Sequence, residues 1–233
     1  MLVEARGAVR TVTLNRPEKR NALDSEMLTG LAAVFSAEPG REERVLVLRA
    51  NGPVFCAGLD LRERLGEGVT GSASPIEHVL ELVENYPLPV VAIVQGDAIA
   101  GGNELALHTD FVVASTKASF GMSLSQIGLA PTWFLAKKLL EVAGPVATRE
   151  VLLLGSPLSA ARMAELGIIA RAVVPEELEQ TANAIIERLT ANAPLSLRAM
   201  KALLVREMAF RDGISHEDVD RMVDLARKSA DSR

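Results

Sequence analysis

The chain of 233 residues is long enough for one large α/β domain or two small ones, and 48% of its residues are hydrophobic, enough to fill a sizeable core. Its net charge of −5 argues against a nucleic-acid partner, because such proteins present a basic surface. The single cysteine excludes an internal disulfide and a CxxC metal site, so no metal is expected, and it suits a reducing cytoplasm.

The N-terminal sequence MLVEARGAVR carries charges where a secretory signal peptide needs an apolar run. No uninterrupted apolar stretch reaches the length of about 18 residues that a membrane-spanning helix needs. We therefore expect a soluble, cytoplasmic protein that has no membrane partner.

Strands and crossover helices alternate through the first half of the chain. Alternating β-branched residues predict a strand from Val9 to Asn15. Apolar residues at helical spacing predict a helix over 24–38, with Asp24 or Ser25 as its cap. A short helix is expected over about 75–85, after a Gly- and Ser-rich stretch, 62–75, that is expected to be mobile. The other elements of this half are apolar runs that predict strands, at 45–49, 90–96 and 110–115.

From Thr132 onward the pattern is almost wholly helical. Ser159 is a good cap for one helix and Gly167 a good stop. Two more helical segments follow, at 176–192 and 195–210. Strands with crossover helices, followed by helices alone, predict an α/β fold with a helical extension.

Two glycine-containing turns, each after a buried strand, indicate a binding site. The stretch ANGPVFCAGLDLRE, 50–63, is more apolar than an ordinary surface loop, and VQGDAIAGGNELALHTD, 94–110, passes from a strand into a helix at Gly101. Glycine lets a ligand approach the backbone, and the N–H groups at a helix start favour negative charge. Two such turns can direct two backbone N–H groups at one carbonyl oxygen, which would form an oxyanion hole.

The sequence resembles the crotonase superfamily, the enoyl-CoA hydratases and isomerases. Four segments occur in the family's order and spacing over residues 3–205: LNRPEKRNALD, FCAGLDL, AIAGGNELALHTD and LGSPLSAARMAELGII. The resemblance implies a crotonase-like ββα superhelix, with the acyl-CoA site, over 1–190 and a helical C-terminal region used for trimerisation over 191–233. It also implies an acyl-CoA thioester substrate, no cofactor apart from the coenzyme A of that substrate, and a homotrimer or hexamer.

The resemblance assigns the oxyanion-hole donors to the N–H groups of Leu59 and Gly101. The residues that it places along the substrate and its pantetheine arm are Ala57, Leu59, Asp60, Leu61, Arg62 and Gly101. Simple turn glycines remain an alternative for each glycine alone, although the paired motifs favour the site. For the side chain of Asp60 we prefer a capping role to catalysis, and for Arg62 a solvated charge and a contact with CoA both stay open.

Four other residues with reactive or aromatic side chains have structural explanations. Cys56 fits a small core side chain, as free cysteines usually do. His78 and His108 lack metal-binding spacing and fit structural or surface positions. Trp133 is expected to pack rather than to contact substrate.

Glu104 has two open interpretations. In the first turn of a helix that begins near Gly101, its carboxylate favours the helix dipole and can close a capping box. The resemblance instead implies catalysis, because hydratases carry one of two catalytic glutamates at this position. Apolar neighbours would raise the pKa of such a carboxyl toward a working value.

The chain departs from the hydratase pattern at the second glutamate. Hydratases carry it 20 residues on, in an FGxPE motif, where this chain has FGMSL and thus Leu124. Some isomerases place their acid eight residues further on, which is Thr132 here, and no Asp or Glu occurs between Asp110 and Glu141. Hydration uses two proton-transfer groups, and losing one costs about 10²–10⁴-fold in rate.

Glu104 as the single proton shuttle fits double-bond isomerisation or slow hydration. Two alternatives stay open, namely a CoA-thioester decarboxylase or hydrolase on the same fold, and a non-catalytic acyl-CoA-binding subunit. The chain stops at DLARKSADSR, where relatives usually continue into a further short helix. We therefore expect either a more open site or a neighbouring subunit that fills the gap.

Overall fold

Two β-sheets and seven α-helices make up the part of the chain that the computed structural model describes, residues 1–60, 63, 75–209, 221 and 225. The strands are β1 Leu2–Arg6, β2 Val9–Leu14, β3 Val45–Ala50, β4 Val90–Val94, β5 Ala98–Ile99, β6 Phe111–Ser115, β7 Ser119–Gly121, β8 Leu158–Ser159 and β9 Arg171–Val173. The helices are α1 Ser25–Ser36, α2 Pro75–Asn85, α3 Gly101–Leu107, α4 Trp133–Arg149, α5 Ala160–Glu165, α6 Leu178–Ala191 and α7 Pro194–Ala209.

The larger sheet has six strands in the order β1-β2-β3-β4-β6-β9, and every pair except β1-β2 is parallel. All five residues of β4 are buried, because both faces of the sheet are covered. On one face, Leu48 and Ala92 join the main core, whereas on the other Val47 and Val91 pack with apolar residues of α6. The continuous apolar runs of the sequence are therefore strands buried on both sides, which confirms the predicted α/β class.

The smaller sheet positions the second glycine turn. Its order is β5-β7-β8, with β5 parallel to β7, and a single bridge joins Cys56 to Ala98 of β5. The stretch that holds Cys56 and the stretch that leads to Gly101 are thus neighbours through backbone hydrogen bonds. The Ile99 N–H donates to the Cys56 carbonyl oxygen at 2.9 Å.

The local signals of the sequence are confirmed where caps and apolar periodicity are strong. The Asp24 carboxylate accepts a hydrogen bond from the Met27 N–H at 2.8 Å at the start of α1. Ser159 caps α5 by accepting from the Arg162 N–H, and Gly167 follows the end of that helix at φ 72°. The predicted helices at 75–85, 176–192 and 195–210 correspond to α2, α6 and α7.

The expectation of an almost wholly helical pattern beyond Thr132 is wrong, because β8 and β9 interrupt it. β9 pairs with β6 at the edge of the larger sheet, with Ala172 opposite Ala114. Strands of two or three residues are too short to show a period, so distant partners alone determine them. The predicted mobile stretch 62–75 lies outside the described residues apart from positions 63 and 75.

None of the helices in the described part of the chain is both long enough and apolar enough to cross a lipid bilayer.

Candidate active site

The loop that carries Leu59 is fixed by the earlier loop of residues 16–24. The Leu23 N–H donates to the Gly58 carbonyl oxygen at 2.8 Å, and the Asp60 N–H donates to the Leu23 carbonyl oxygen at 2.9 Å. Both bonds belong to a parallel bridge between Leu23 and Leu59. In such a bridge the residues on either side of Leu59 supply the bonds, so the N–H of Leu59 itself faces away from this partner.

Arg16 and Asn21 join the loop of residues 16–24 to the stretch 50–63 that carries Leu59. The buried Asn21 amide accepts from the Arg16 N–H at 2.8 Å and donates to the carbonyl oxygens of Asn51 and Val54, each at 2.8 Å. The Arg16 guanidinium forms ion pairs with Asp24 at 3.1 Å and Asp60 at 3.4 Å. The carboxylate of Asp60 thus pairs with Arg16, which supports a structural role for this side chain.

Glycines allow the two turns to touch. Gly58 has φ 90°, and a Cβ built on it would lie 3.0 Å from the Ile99 carbonyl oxygen and 3.1 Å from the Gly101 nitrogen. A Cβ on Gly102 would collide with the carbonyl oxygen of Cys56. Any side chain at either position would push the turns apart, so the close approach requires glycine.

Ala100 adopts a strained backbone conformation between the two turns. Its φ of 48° and ψ of −118° lie outside the regions that non-glycine residues favour. The Ala100 N–H donates to the Gly121 carbonyl oxygen at 2.7 Å, and its own carbonyl accepts from the Glu104 N–H at 3.0 Å. These bonds hold the strained residue and begin α3 at Gly101, whose N–H has no partner within the helix.

The backbones of Leu59 and Gly101 approach each other closely where the two turns meet. A Cβ built on Gly101 would lie 3.6 Å from the Leu59 nitrogen and 3.4 Å from the Gly58 Cα. Among the described residues, neither N–H group donates a hydrogen bond. Two donors so placed can bond one oxygen that carries developing negative charge.

Glu104 lies one turn into α3 and is fully buried, with 0% exposure. Burial raises the pKa of its carboxyl to about 8, although the charge of Lys138 lowers the pKa and that of Glu77 raises it. Neither carboxylate oxygen has a hydrogen-bond partner within the described ranges. The capping-box alternative is disfavoured because the N–H of the N-cap residue, Ala100, donates to Gly121. The carboxyl is therefore neutral near pH 7 and not engaged in capping.

The His108 side chain is neutral and packs beside Glu104. Its Nδ1 lies 2.7 Å from the Glu104 carbonyl oxygen, and its ring stacks on Phe134 at 5.3 Å between centroids. Burial and the charge of Lys138 lower the pKa of His108 to about 4. Because a carbonyl oxygen only accepts, Nδ1 carries the proton and the ring is neutral at pH 7. This buried position confirms the structural role, whereas His78 lies exposed on α2.

A carboxylate that sequence reasoning missed, Glu77, lies at the site. Thr132, the position of the isomerase acid, donates from Oγ1 to Glu77 Oε1 at 2.6 Å. Leu124, the position of the second hydratase glutamate, packs partly buried against the main core. Glu77 and Thr132 are 55 residues apart in sequence, so no local pattern could have joined them.

Of the remaining predicted site residues, the structure describes Ala57 but not Leu61 and Arg62. The Ala57 N–H donates to the Arg20 carbonyl oxygen at 3.1 Å, which fixes the loop. Leu61 and Arg62 lie outside the described residues.

Burial raises the pKa of Cys56 to about 12, which agrees with an inert core thiol. Trp133 is 36% exposed, less buried than a packing role predicts.

The raised pKa of Glu104 makes the stability of the fold depend on pH. The ordinary pKa of the carboxyl is 4.5 and its folded value is about 8. Between these values the folded protein holds a proton that the unfolded chain releases, so the contribution of Glu104 to the unfolding free energy falls as pH rises through this window. Glu104→Gln removes that loss. Denaturant unfolding of both proteins between about pH 5 and 8 should show the variant gaining stability relative to wild type as pH rises. Parallel curves would contradict the raised pKa.

Comparison with known proteins identifies the family. The sequence profile of the family described as enoyl-CoA hydratase/isomerase matches residues 4–232. A putative enoyl-CoA hydratase of Thermus thermophilus is 35% identical over 237 aligned residues, covering 97% of this chain and 90% of the relative. The 1,2-epoxyphenylacetyl-CoA isomerase of Escherichia coli is 35% identical over 206 residues, covering 83% of this chain and 77% of the relative.

A solved structure agrees with this result. The crystal structure of an enoyl-CoA hydratase/carnitine racemase from Magnetospirillum magneticum superimposes with a TM-score of 0.84 at 28% identity, covering 98% of this chain and 87% of that one. The crotonase-like fold that the four motifs predict is confirmed. The chain is a member of the enoyl-CoA hydratase/isomerase family.

Proposed function

We propose that this enzyme binds an acyl-CoA thioester and stabilises its enolate through the N–H groups of Leu59 and Gly101, with Glu104 as a proton-transfer group. The reaction is of the hydratase or isomerase type. The observation that supports the proposal is the close approach of the Leu59 and Gly101 backbones at the start of the helix that carries the fully buried Glu104.

Enolate stabilisation follows from the charge that develops on the thioester oxygen. When a proton leaves the α-carbon, or a nucleophile adds to the β-carbon, electron density moves onto that oxygen. Two fixed N–H donors stabilise this charge more than they stabilise the neutral carbonyl. Loss of one such donor typically lowers kcat by about 10²–10³-fold.

Glu104 has the properties of a proton donor to the α-carbon. Burial raises the pKa of its carboxyl to about 8, so the carboxyl carries a proton near pH 7. Once it has donated that proton, the carboxylate is the base for the reverse step. Coenzyme A is part of the substrate, and the backbone of Ala57 to Asp60 would lie along its pantetheine arm.

We also propose that the protein assembles as a homotrimer or hexamer. Apolar side chains of α7 that are each more than half exposed support an interface: Leu195, Met200, Leu203 and Leu204. Light scattering should give the mass of three or six chains. A stable monomer at micromolar concentration would contradict the assembly.

The function is tested by presenting the protein with three thioesters, crotonyl-CoA, a 3-enoyl-CoA and a malonyl-type CoA, and by calorimetry with butyryl-CoA and free CoA. We expect crotonyl-CoA or the 3-enoyl-CoA to be converted and butyryl-CoA to bind more tightly than free CoA. Conversion of the malonyl-type thioester alone would identify a decarboxylase. Tight binding without turnover would identify a non-catalytic subunit, and absence of thioester binding would contradict the proposal.

A further inference from the structure

We propose that Glu77 is the second proton-transfer group of this site, the base that activates water when the enzyme hydrates a 2-enoyl thioester. The inference rests on the proposed function and adds to it the partner of Glu104. In this assignment the carboxylate comes from α2 rather than from either sequence position, Leu124 or Thr132, at which the family's acids occur.

The first observation that supports this role is the hydrogen bond between Thr132 and Glu77. Thr132 Oγ1 donates to Glu77 Oε1 at 2.6 Å, and Thr132 precedes α4 as its N-cap residue without capping it. The hydroxyl thus binds the carboxylate of another helix instead of an N–H group of its own. A carboxylate oxygen therefore lies within hydrogen-bond distance of the side chain where some isomerases have their acid.

The second observation is that α2, which carries Glu77, lies next to α3. Ile76, the neighbour of Glu77, directs its Cδ1 to within 2.8 Å of a Cβ built on Gly101. Phe134, two residues after Thr132, stacks on His108 at the end of α3. α2 and α4 therefore both approach the helix that carries Gly101 and Glu104. The charge of Glu77 is close enough to act on Glu104, whose pKa it raises.

The two carboxyl groups differ in the way that acid and base require. Glu104 is fully buried, whereas Glu77 is only partly buried and can meet water. The Thr132 hydroxyl donates to Glu77, which leaves the carboxylate as an acceptor. Pairs of carboxyl groups in contrasting environments commonly divide into acid and base.

The chemical step balances with these two groups. Glu77 takes a proton from water as the water oxygen bonds to the β-carbon. The C=C electron pair shifts toward the thioester, and the enolate oxygen is held by the two backbone N–H groups. Glu104 then gives its proton to the α-carbon, which yields a 3-hydroxyacyl thioester. Glu77 then releases its proton to solvent, and Glu104 takes one up from solvent.

A structural role for Glu77 makes a different prediction. Glu77 lies in the first turn of α2, where a carboxylate stabilises the helix dipole. If that were its only role, its loss would weaken every activity of the site equally. The base role predicts that hydration fails while the chemistry of Glu104 at the α-carbon persists.

The test compares Glu77→Gln with wild type in two assays. The first is hydration of crotonyl-CoA. The second is exchange of the α-protons of butyryl-CoA with D₂O at about pH 8.5, where Glu104 is largely ionised, followed by NMR. We expect hydration to fall by at least about 10²-fold and α-exchange to stay within about threefold of wild type. Glu81→Gln removes an exposed carboxylate one turn along the same helix and should leave both rates unchanged.

Other outcomes separate this inference from the proposed function. Hydration retained in Glu77→Gln, or hydration and exchange reduced by the same factor, would overturn the role of Glu77 and leave the enolate site standing. A wild type that exchanges α-protons but does not hydrate would likewise overturn it. A wild type that does neither and also leaves the 3-enoyl-CoA unconverted would overturn the proposed function and, with it, this inference.

Discussion

Replacing Glu104 with glutamine should lower turnover by at least about 10²-fold and leave acyl-CoA binding little changed. The amide retains the shape of the carboxyl but cannot exchange a proton. Glu104 is fully buried, and none of the described residues makes a hydrogen bond to its carboxylate. The substitution therefore removes no hydrogen bond within the described part of the chain. Steady-state kinetics on the thioester that wild type converts best give the loss, and calorimetry with butyryl-CoA gives the affinity.

Glu43→Gln is the matched control for Glu104→Gln. Glu43 is also buried, but its carboxylate pairs with Arg10 at 2.9 Å and accepts from the Gly40 N–H. It lies before β3, whereas the loop that carries Gly58 follows the other end of that strand. This control should keep its turnover even where it loses stability. If Glu104→Gln kept full activity on every thioester that wild type converts, Glu104 would be a structural residue and the chemistry would belong to the two N–H groups alone.

Replacing Gly101 with proline should lower kcat by at least about 10²–10³-fold, since it deletes one of the two proposed donors. Proline is accepted at the first position of a helix, where the N–H has no helical partner. A Cβ at this position meets the Ile76 Cδ1 at 2.8 Å, the end of a flexible side chain that can move. Circular dichroism should therefore show that the fold is kept.

Gly101→Ala separates the missing donor from the added carbon. Alanine adds a Cβ at the same place and keeps the N–H group, so the ratio of the two kcat values isolates the hydrogen bond. We expect alanine to retain much more activity than proline. Equal losses in the two variants would mean that crowding near Leu59 and Ile76, and not a lost donor, explains the effect.

The sequence predicts those parts of the fold that local chemistry determines. Asp24 and Ser159 cap their helices as expected, because a cap needs only an N–H group two or three residues away. The buried strands of the larger sheet are recognisable because both of their faces are apolar. β8 and β9 are not recognisable, because pairing with distant strands, rather than any property of two or three residues, makes them strands.

The candidate site likewise contains features that the sequence predicts and features that it does not. The two glycine turns could be expected to meet because each follows a buried strand, and a Cβ built on Gly58 would lie 3.1 Å from the Gly101 nitrogen. Glu77 could not be predicted, because its partner Thr132 is on another element and the sequence around it indicates only a helix. The strain at Ala100 was equally hidden, since alanine at a positive φ contradicts the local preference.

The most direct test of the oxyanion hole is the infrared band of the thioester carbonyl in bound butyryl-CoA that carries ¹³C at the carbonyl carbon. Two N–H donors from Leu59 and Gly101 should polarise this bond and lower its stretching frequency well below the value in water. The shift should be reduced in Gly101→Pro and kept in Glu104→Gln. A bound carbonyl that absorbs at its solution frequency in wild type would contradict the enolate-stabilising site.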